Sequence, residues 1–160
     1  MATKDNLAAA FAGESQANRK YLMFAEQAEK EGYKGAAKLF RAAAEAEQIH
    51  AFAEFRANGG VGTTAQNLQA AINGETHEFT SMYPPMIEEA KAEGNTAAAR
   101  AFGFANEAEK VHAALYKEAL ADINGDADYY LCPICGFIHK GKPEAACPIC
   151  GAKPEIFKKF

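Results

Sequence analysis

From Asp5 to Glu31, apolar residues recur at alternating spacings of three and four, through Leu7, Phe11, Tyr21, Ala25 and Ala28, with Glu14 and Asn18 set in the same seam. That period marks one face of an α-helix, and Gly32 is a natural stop. A second helix is predicted over Lys34–Ala57, closed by Asn58-Gly59-Gly60. A third is predicted from Thr64 to Glu93, interrupted at Pro84-Pro85, where proline kinks a helix or removes a hydrogen bond. A fourth is predicted over Thr96–Ile123. The connection between the second and third helices is the longest, so a crossover is expected there. After Asn124-Gly125-Asp126, a turn signal, the chain becomes rich in Gly, Pro and Cys. The pattern predicts an all-α protein, with a four-helix bundle over residues 1–125 and a small module over 126–160.

The helical part repeats. Glu45-Ala46-Glu47-Gln48-Ile49-His50-Ala51 recurs 62 residues later as Glu107-Ala108-Glu109-Lys110-Val111-His112-Ala113, and Phe40 and Ala43 recur as Phe102 and Ala105. Gly13-Glu14-Ser15 recurs as Gly74-Glu75-Thr76, 61 residues on. Two similar hairpins imply a pseudo-two-fold bundle. Glu47 and His50 share one helical face, as do Glu109 and His112. Glu14 lies in the seam of the first helix. Glu75 and Glu78 lie in the Leu68–Ile72–Met82 seam of the third, and Glu78 has Ala17 as its counterpart.

Five carboxylates aimed at a core are untenable alone, because each buried ion costs several kcal/mol and like charges repel. A pair of divalent cations resolves the conflict: four Glu balance the charge, carboxylates bridge, and two neutral imidazoles cap the ends. The mixed oxygen and nitrogen donors suit iron or manganese better than calcium. One Glu from each of two helices with Glu-x-x-His from the other two is the ligand set of ferritin-like di-iron proteins. Tyr21 and Tyr83 sit one or two turns past the glutamates, where a buried phenol either donates to a carboxylate or serves as a plain core aromatic. His77 and His139 read as surface or loop histidines.

All four cysteines fall near the C-terminus, as Cys132-Pro133-Ile134-Cys135-Gly136 and Cys147-Pro148-Ile149-Cys150-Gly151. Disulfide staples would be spread along a chain, whereas two Cys-x-x-Cys pairs read as a tetrahedral metal site. So small a module needs metal for its folding free energy. Zinc would make the site structural and iron would make it a one-electron carrier. The redox-capable metal pair upstream favours iron.

Charge and composition narrow the classes further. The net charge of −4 argues against a nucleic-acid partner. It divides unevenly: residues 128–160 carry five Lys against three acids, and the preceding part 12 basic against 18 acidic residues. No apolar stretch approaches the roughly 20 residues that span a bilayer, and Met1–Phe11 lacks a signal-peptide layout. A cytoplasmic location is expected.

With both constellations in place, the chain resembles the rubrerythrin family: ferritin-like di-iron proteins with a C-terminal rubredoxin-like domain. The resemblance rests on Phe-Ala-Gly-Glu-Ser-Gln-Ala around Glu14, both Glu-x-x-His motifs, Gly-Glu-Thr-His-Glu and Met-Tyr-Pro over Glu75–Pro84, and the two knuckles. It implies di-iron ligands Glu14, Glu47, His50, Glu75, Glu78, Glu109 and His112, with one iron exchanging Glu78 for His50 on reduction. It implies supporting roles for Tyr21 and Tyr83 and a single iron on Cys132, Cys135, Cys147 and Cys150. The implied activity is a peroxidase in oxidative-stress defence, reducing hydrogen peroxide to water. Electrons would arrive through the cysteine-bound iron from an NAD(P)H-linked reductase or rubredoxin. A homodimer is implied, the small domain of one subunit serving the bundle of the other. Pro84-Pro85, where a single proline is expected, departs from the pattern. The alternatives are a ferroxidase or iron-storage protein, which leaves the electron-transfer module unexplained, and a non-catalytic protein with structural zinc.

Overall fold

The computed structural model describes residues 2–160. Helix α1 spans Ala2–Lys30 and α2 spans Lys34–Ala57. The turn between them is closed by Gly32, whose φ of 86° lets its N–H donate to the Glu29 carbonyl while Tyr33 N–H donates to Ala28. Only glycine takes that backbone conformation without strain. The hairpin buries alanines, namely Ala25, Ala28, Ala37, Ala44 and Ala51. Small side chains bring the helices close enough for Asn18 Nδ2 to donate to the Ala44 carbonyl at 2.7 Å. Phe11 stacks on Phe55 with centroids 4.7 Å apart, and Tyr21 packs on Phe40 at 6.1 Å.

Helix α3 spans Thr64–His77 and opens on a capping box. Gln66 N–H donates to Thr63 Oγ1, and Thr63 N–H to Gln66 Oε1. A π-helical turn, Glu78–Met82, follows, then α4 (Tyr83–Ala92) and α5 (Thr96–Ala121). Both α3 and α4 pack against α5. Tyr83 packs on Phe102 at 6.1 Å and 37°, the same distance and angle as Tyr21 on Phe40.

The predicted third helix is thus broken at 78–82, just before the prolines. The repeat explains where. Glu14 and Glu75 are offset by 61 residues but Tyr21 and Tyr83 by 62, so the third helix holds one extra residue between Glu and Tyr. The π turn absorbs it: Tyr83 N–H reaches back five residues to the Glu78 carbonyl, and Tyr83 returns to the face that Tyr21 occupies. Pro84 and Pro85 then fall in the first turn of α4, where a missing N–H costs little.

Residues 58–63 are the longest helix connection, yet half of it closes α2. Gly59 (φ 76°) donates to the Arg56 carbonyl and Gly60 to Phe55, the double bond of a Schellman motif.

In the C-terminal module, β1 (Tyr129–Leu131) lies between β2 (Ile138–Lys140) and β3 (Lys158–Lys159), antiparallel to both. Its small core is Cys132, Cys135, Phe137 and Cys147, with Phe104 and Val111 of α5 packed against it. The structure divides into two compact units, one ending at Gly62 and the other running Thr63–Phe160. No helix among the described residues is long and apolar enough to cross a membrane.

Candidate metal centres

Each helical unit carries one cluster of donor atoms. On α1 and α2, Glu14, Glu47 and His50 converge, with His50 Nδ1 3.2 Å from Glu47 Oε2 and 3.8 Å from Glu14 Oε2. On α3 and α5, Glu75, Glu109 and His112 repeat the arrangement, with His112 Nδ1 2.7 Å from Glu109 Oε2 and 3.7 Å from Glu75 Oε2. The i, i+3 spacing puts each Glu and His on one face, and the Ala-rich backbone leaves room for both.

The electrostatics of these clusters are those of a cation site without its cation. Burial, a hydrogen bond shared with Glu109 and repulsion from that carboxylate raise the Glu75 pKa to about 7, against the partial relief offered by His112. Glu75 Oε2 is buried with no hydrogen-bond partner. In the other cluster the two carboxyls shift in opposite directions. Glu14 is raised, chiefly by its hydrogen bond to Glu47, and Glu47 is lowered by the same bond and by His50. An orphaned carboxylate oxygen and two pairs of facing carboxyls that perturb one another fit a site meant for positive charge. His112 fits too. Its Nε2 lies 2.8 Å from the Gly136 carbonyl, so that N–H is the donor and the Nδ1 lone pair faces the carboxylates. Histidine ligands of metals are held in this way.

Glu78 lies outside both clusters, in the π turn, although burial first and the Glu75 charge second raise its pKa. Tyr83 is raised by burial and by the charges of Glu78, Glu109 and Glu75, so its phenol stays protonated beside them. Tyr21 packs among Phe24 and Phe40. His77 is exposed, whereas His139 lies in β2 rather than a loop, with its Nδ1 2.9 Å from the Gly141 carbonyl.

Sequence reasoning missed two residues. Tyr116, raised by burial and by Glu75 and Glu109, lies four past His112 on α5. Glu54, four past His50 on α2, has a buried carboxylate oxygen without a partner, and its charge raises Glu14. They occupy equivalent repeat positions, 62 apart, but differ in type, so a search for identical residues passes over both.

The four cysteines form the third cluster, with all their sulfurs within 4.8 Å of one another. Cys132 Sγ lies 3.5 Å from Cys150 Sγ and Cys135 Sγ 3.5 Å from Cys147 Sγ, and all four are free thiols. A disulfide would bring sulfurs to about 2.05 Å, whereas tetrahedral ligation at about 2.3 Å separates them by about 3.8 Å. The two knuckles match. Cys132 N–H donates to the Phe137 carbonyl and Gly136 N–H back to Cys132, while Cys147 N–H donates to Ala152 and Gly151 N–H to Cys147. Gly136 and Gly151 hold φ of 80° and 76°. Burial raises Cys135 far above a free thiol. Cys147 is likewise opposed by burial, but backbone donors at Cys150 and Ile149 bring it down to about 7.

The module rests on α5 of its own chain. Besides His112–Gly136, Lys140 Nζ reaches Glu118 Oε2 at 2.9 Å.

Helical hairpins carrying paired Glu and Glu-x-x-His ligands, with a four-cysteine module appended, define a ferritin-like di-iron carboxylate protein with a rubredoxin-like domain. The family model described as Rubrerythrin matches residues 5–120, and that of the rubrerythrin rubredoxin-like domain matches residues 130–158. Rubrerythrin-2 of Clostridium acetobutylicum is 38% identical over 177 aligned positions, covering 99% of this chain and 96% of that protein. Nigerythrin of Nitratidesulfovibrio vulgaris is 40% identical, covering 99% of this chain and 86% of that protein. The solved structure of nigerythrin in its fully reduced, all-ferrous state matches with a TM-score of 0.61 and 39% identity, over 99% of this chain and 86% of that one. The chain belongs to the rubrerythrin family. Its cofactors are accordingly a di-iron centre on the Glu and His groups and one iron on Cys132, Cys135, Cys147 and Cys150.

Proposed function

We propose that this protein is a non-haem di-iron peroxidase that reduces hydrogen peroxide to water in defence against oxidative stress. Electrons enter through the cysteine-bound iron from an NAD(P)H-linked reductase or a rubredoxin. The observation that carries this reading is the His112–Gly136 hydrogen bond. It ties a histidine beside Glu75 and Glu109 to the residue that follows Cys135, so a short covalent and hydrogen-bonded route joins the two iron sites.

The ligands on this reading are Glu14, Glu47, His50, Glu75, Glu78, Glu109 and His112. When bound, the iron pair supplies the two electrons that break the O–O bond, and two protons complete two water molecules. The chain's own residues prepare for that. The Gly136 carbonyl fixes the His112 tautomer. Glu75, whose pKa stands at about 7, would give up its proton to a cation that enters. Tyr83 and Tyr116 stay protonated and offer O–H donors beside the carboxylates. Tyr21 supports the other half of the site by packing. On reduction one iron would exchange Glu78 for His50, whose side chain is 57% exposed, against 16% for His112. Residues 1–125 act as the bundle domain and 126–160 as the electron-transfer domain of a cytoplasmic homodimer.

The test is the oxidation of chemically reduced protein, followed by its visible spectrum. Stoichiometric peroxide is expected to oxidise it faster than dioxygen does. An equal or faster reaction with dioxygen overturns the proposal.

A further inference from the structure

We infer that Glu54 is the acceptor for the outer ring N–H of His50, a positioning residue that holds this imidazole with its Nδ1 turned to Glu14 and Glu47. This role rests on the ligand assignment above and adds to it a carboxylate that the assignment leaves out.

A metal-binding histidine gives one ring nitrogen to the metal. Its other ring nitrogen carries a proton that needs an acceptor, and that acceptor fixes the tautomer and the ring orientation. His112 has one. Its Nδ1 lies on the side of Glu109 and Glu75, and its Nε2 meets the Gly136 carbonyl at 2.8 Å. His50 repeats only the first half of this arrangement. Its Nδ1 lies 3.2 Å from Glu47 and 3.8 Å from Glu14, and its Nε2 meets no carbonyl or carboxylate among the described residues.

Glu54 has the complementary lack. It follows His50 by four residues and Glu47 by seven, so all three share one face of α2. Helical side chains lean toward the N-terminus, which carries the Glu54 carboxylate back over the turn that holds His50. Glu54 Oε2 is shielded from solvent and has no hydrogen-bond partner. A carboxylate oxygen so placed costs free energy until a donor reaches it. Its charge is also felt by Glu14 on α1, so the carboxylate lies near the cluster. An N–H without an acceptor and a carboxylate oxygen without a donor, one turn apart on one face, satisfy one another.

The repeat shows why a carboxylate stands in this half alone. The matching place, four past His112, holds Tyr116, and there the Gly136 carbonyl already takes the ring N–H. The two histidines then differ in kind. His112 is held by a neutral carbonyl of the module, and His50 by an anionic group of its own helix. A carboxylate acceptor makes the stronger hydrogen bond and the more basic imidazole.

The test is made on the full chain with zinc in place of iron and isotope-labelled histidine. Proton–nitrogen correlation spectra report which ring nitrogen carries the proton and how fast that proton exchanges, and chelator competition reports zinc affinity. Wild type is expected to show a slowly exchanging Nε2–H on His50 as well as on His112. Glu54→Leu keeps the bulk and removes the acceptor. It is expected to abolish slow exchange at His50 alone and to weaken one bundle zinc about 10–100-fold. Glu54→Gln restores an acceptor and should recover the slow exchange and part of the affinity; it also carries the test where leucine disturbs α2. Equal exchange at His50 and equal zinc affinity in wild type and Glu54→Leu overturn the inference and make water the acceptor. A His50→Ala protein that holds both bundle zincs as tightly as wild type overturns the ligand assignment itself, and the role of Glu54 with it.

Discussion

At the scale of single residues, the clusters are organised around facing carboxyl groups that perturb one another. Glu75 shows this best, since its pKa of about 7 sits well above the ordinary 4.5 through burial and the neighbouring Glu109. In the metal-free protein a raised acid favours the fold only while protonated. Its stabilisation is full below 4.5 and is lost as pH rises through about 7. Metal-free protein is therefore expected to lose stability between pH 5 and 8, and Glu75→Gln to flatten that slope. Urea melts at a series of pH values check this, and an unchanged slope would remove Glu75 as its source. The glutamates and histidines were legible because a repeat marked them twice. Glu54 and Tyr116 were not, because the repeat places a carboxylate opposite a phenol, and only the fold shows that both positions face the donors.

At the scale of elements, the π turn is the feature that sequence periodicity located imperfectly. A change of repeat offset from 61 to 62 says that a residue has been added, and Pro84-Pro85 marks the vicinity. The backbone decides how the residue is absorbed. Thr80 Oγ1 donates to the Thr76 carbonyl at 2.6 Å, and the N–H of Tyr83 reaches Glu78. Deleting Ser81 would restore the seven-residue spacing of the first helix and leave Tyr83 on Phe102. It would also carry the prolines into an unbroken helix, where each clashes with a carbonyl one turn back. A loss of about 3 kcal/mol is expected, with helical content retained. Chemical denaturation followed by circular dichroism measures it, and a neutral deletion would show that the turn is imposed by something other than register.

At the scale of the whole molecule, two folding strategies are joined. The helical hairpins bury Ala-lined seams, whereas the module buries little beyond Cys132, Cys135, Phe137 and Cys147. So small a core leans on its metal. Strong chelation is expected to unfold residues 129–160, seen as loss of thiolate charge-transfer absorption and of amide protection there. The far-UV signal of the helices should persist. Cooperative loss of both would show that α5 depends on the docked module through His112–Gly136 and Lys140–Glu118.

The sequence alone determined the helices, the four-cysteine site and the donor residues, because periodicity, knuckle spacing and an internal repeat are local or pairwise signals. Tertiary structure decided the π turn and the seating of the module on α5. Both depend on where backbone carbonyls point, which is set only once the chain occupies space.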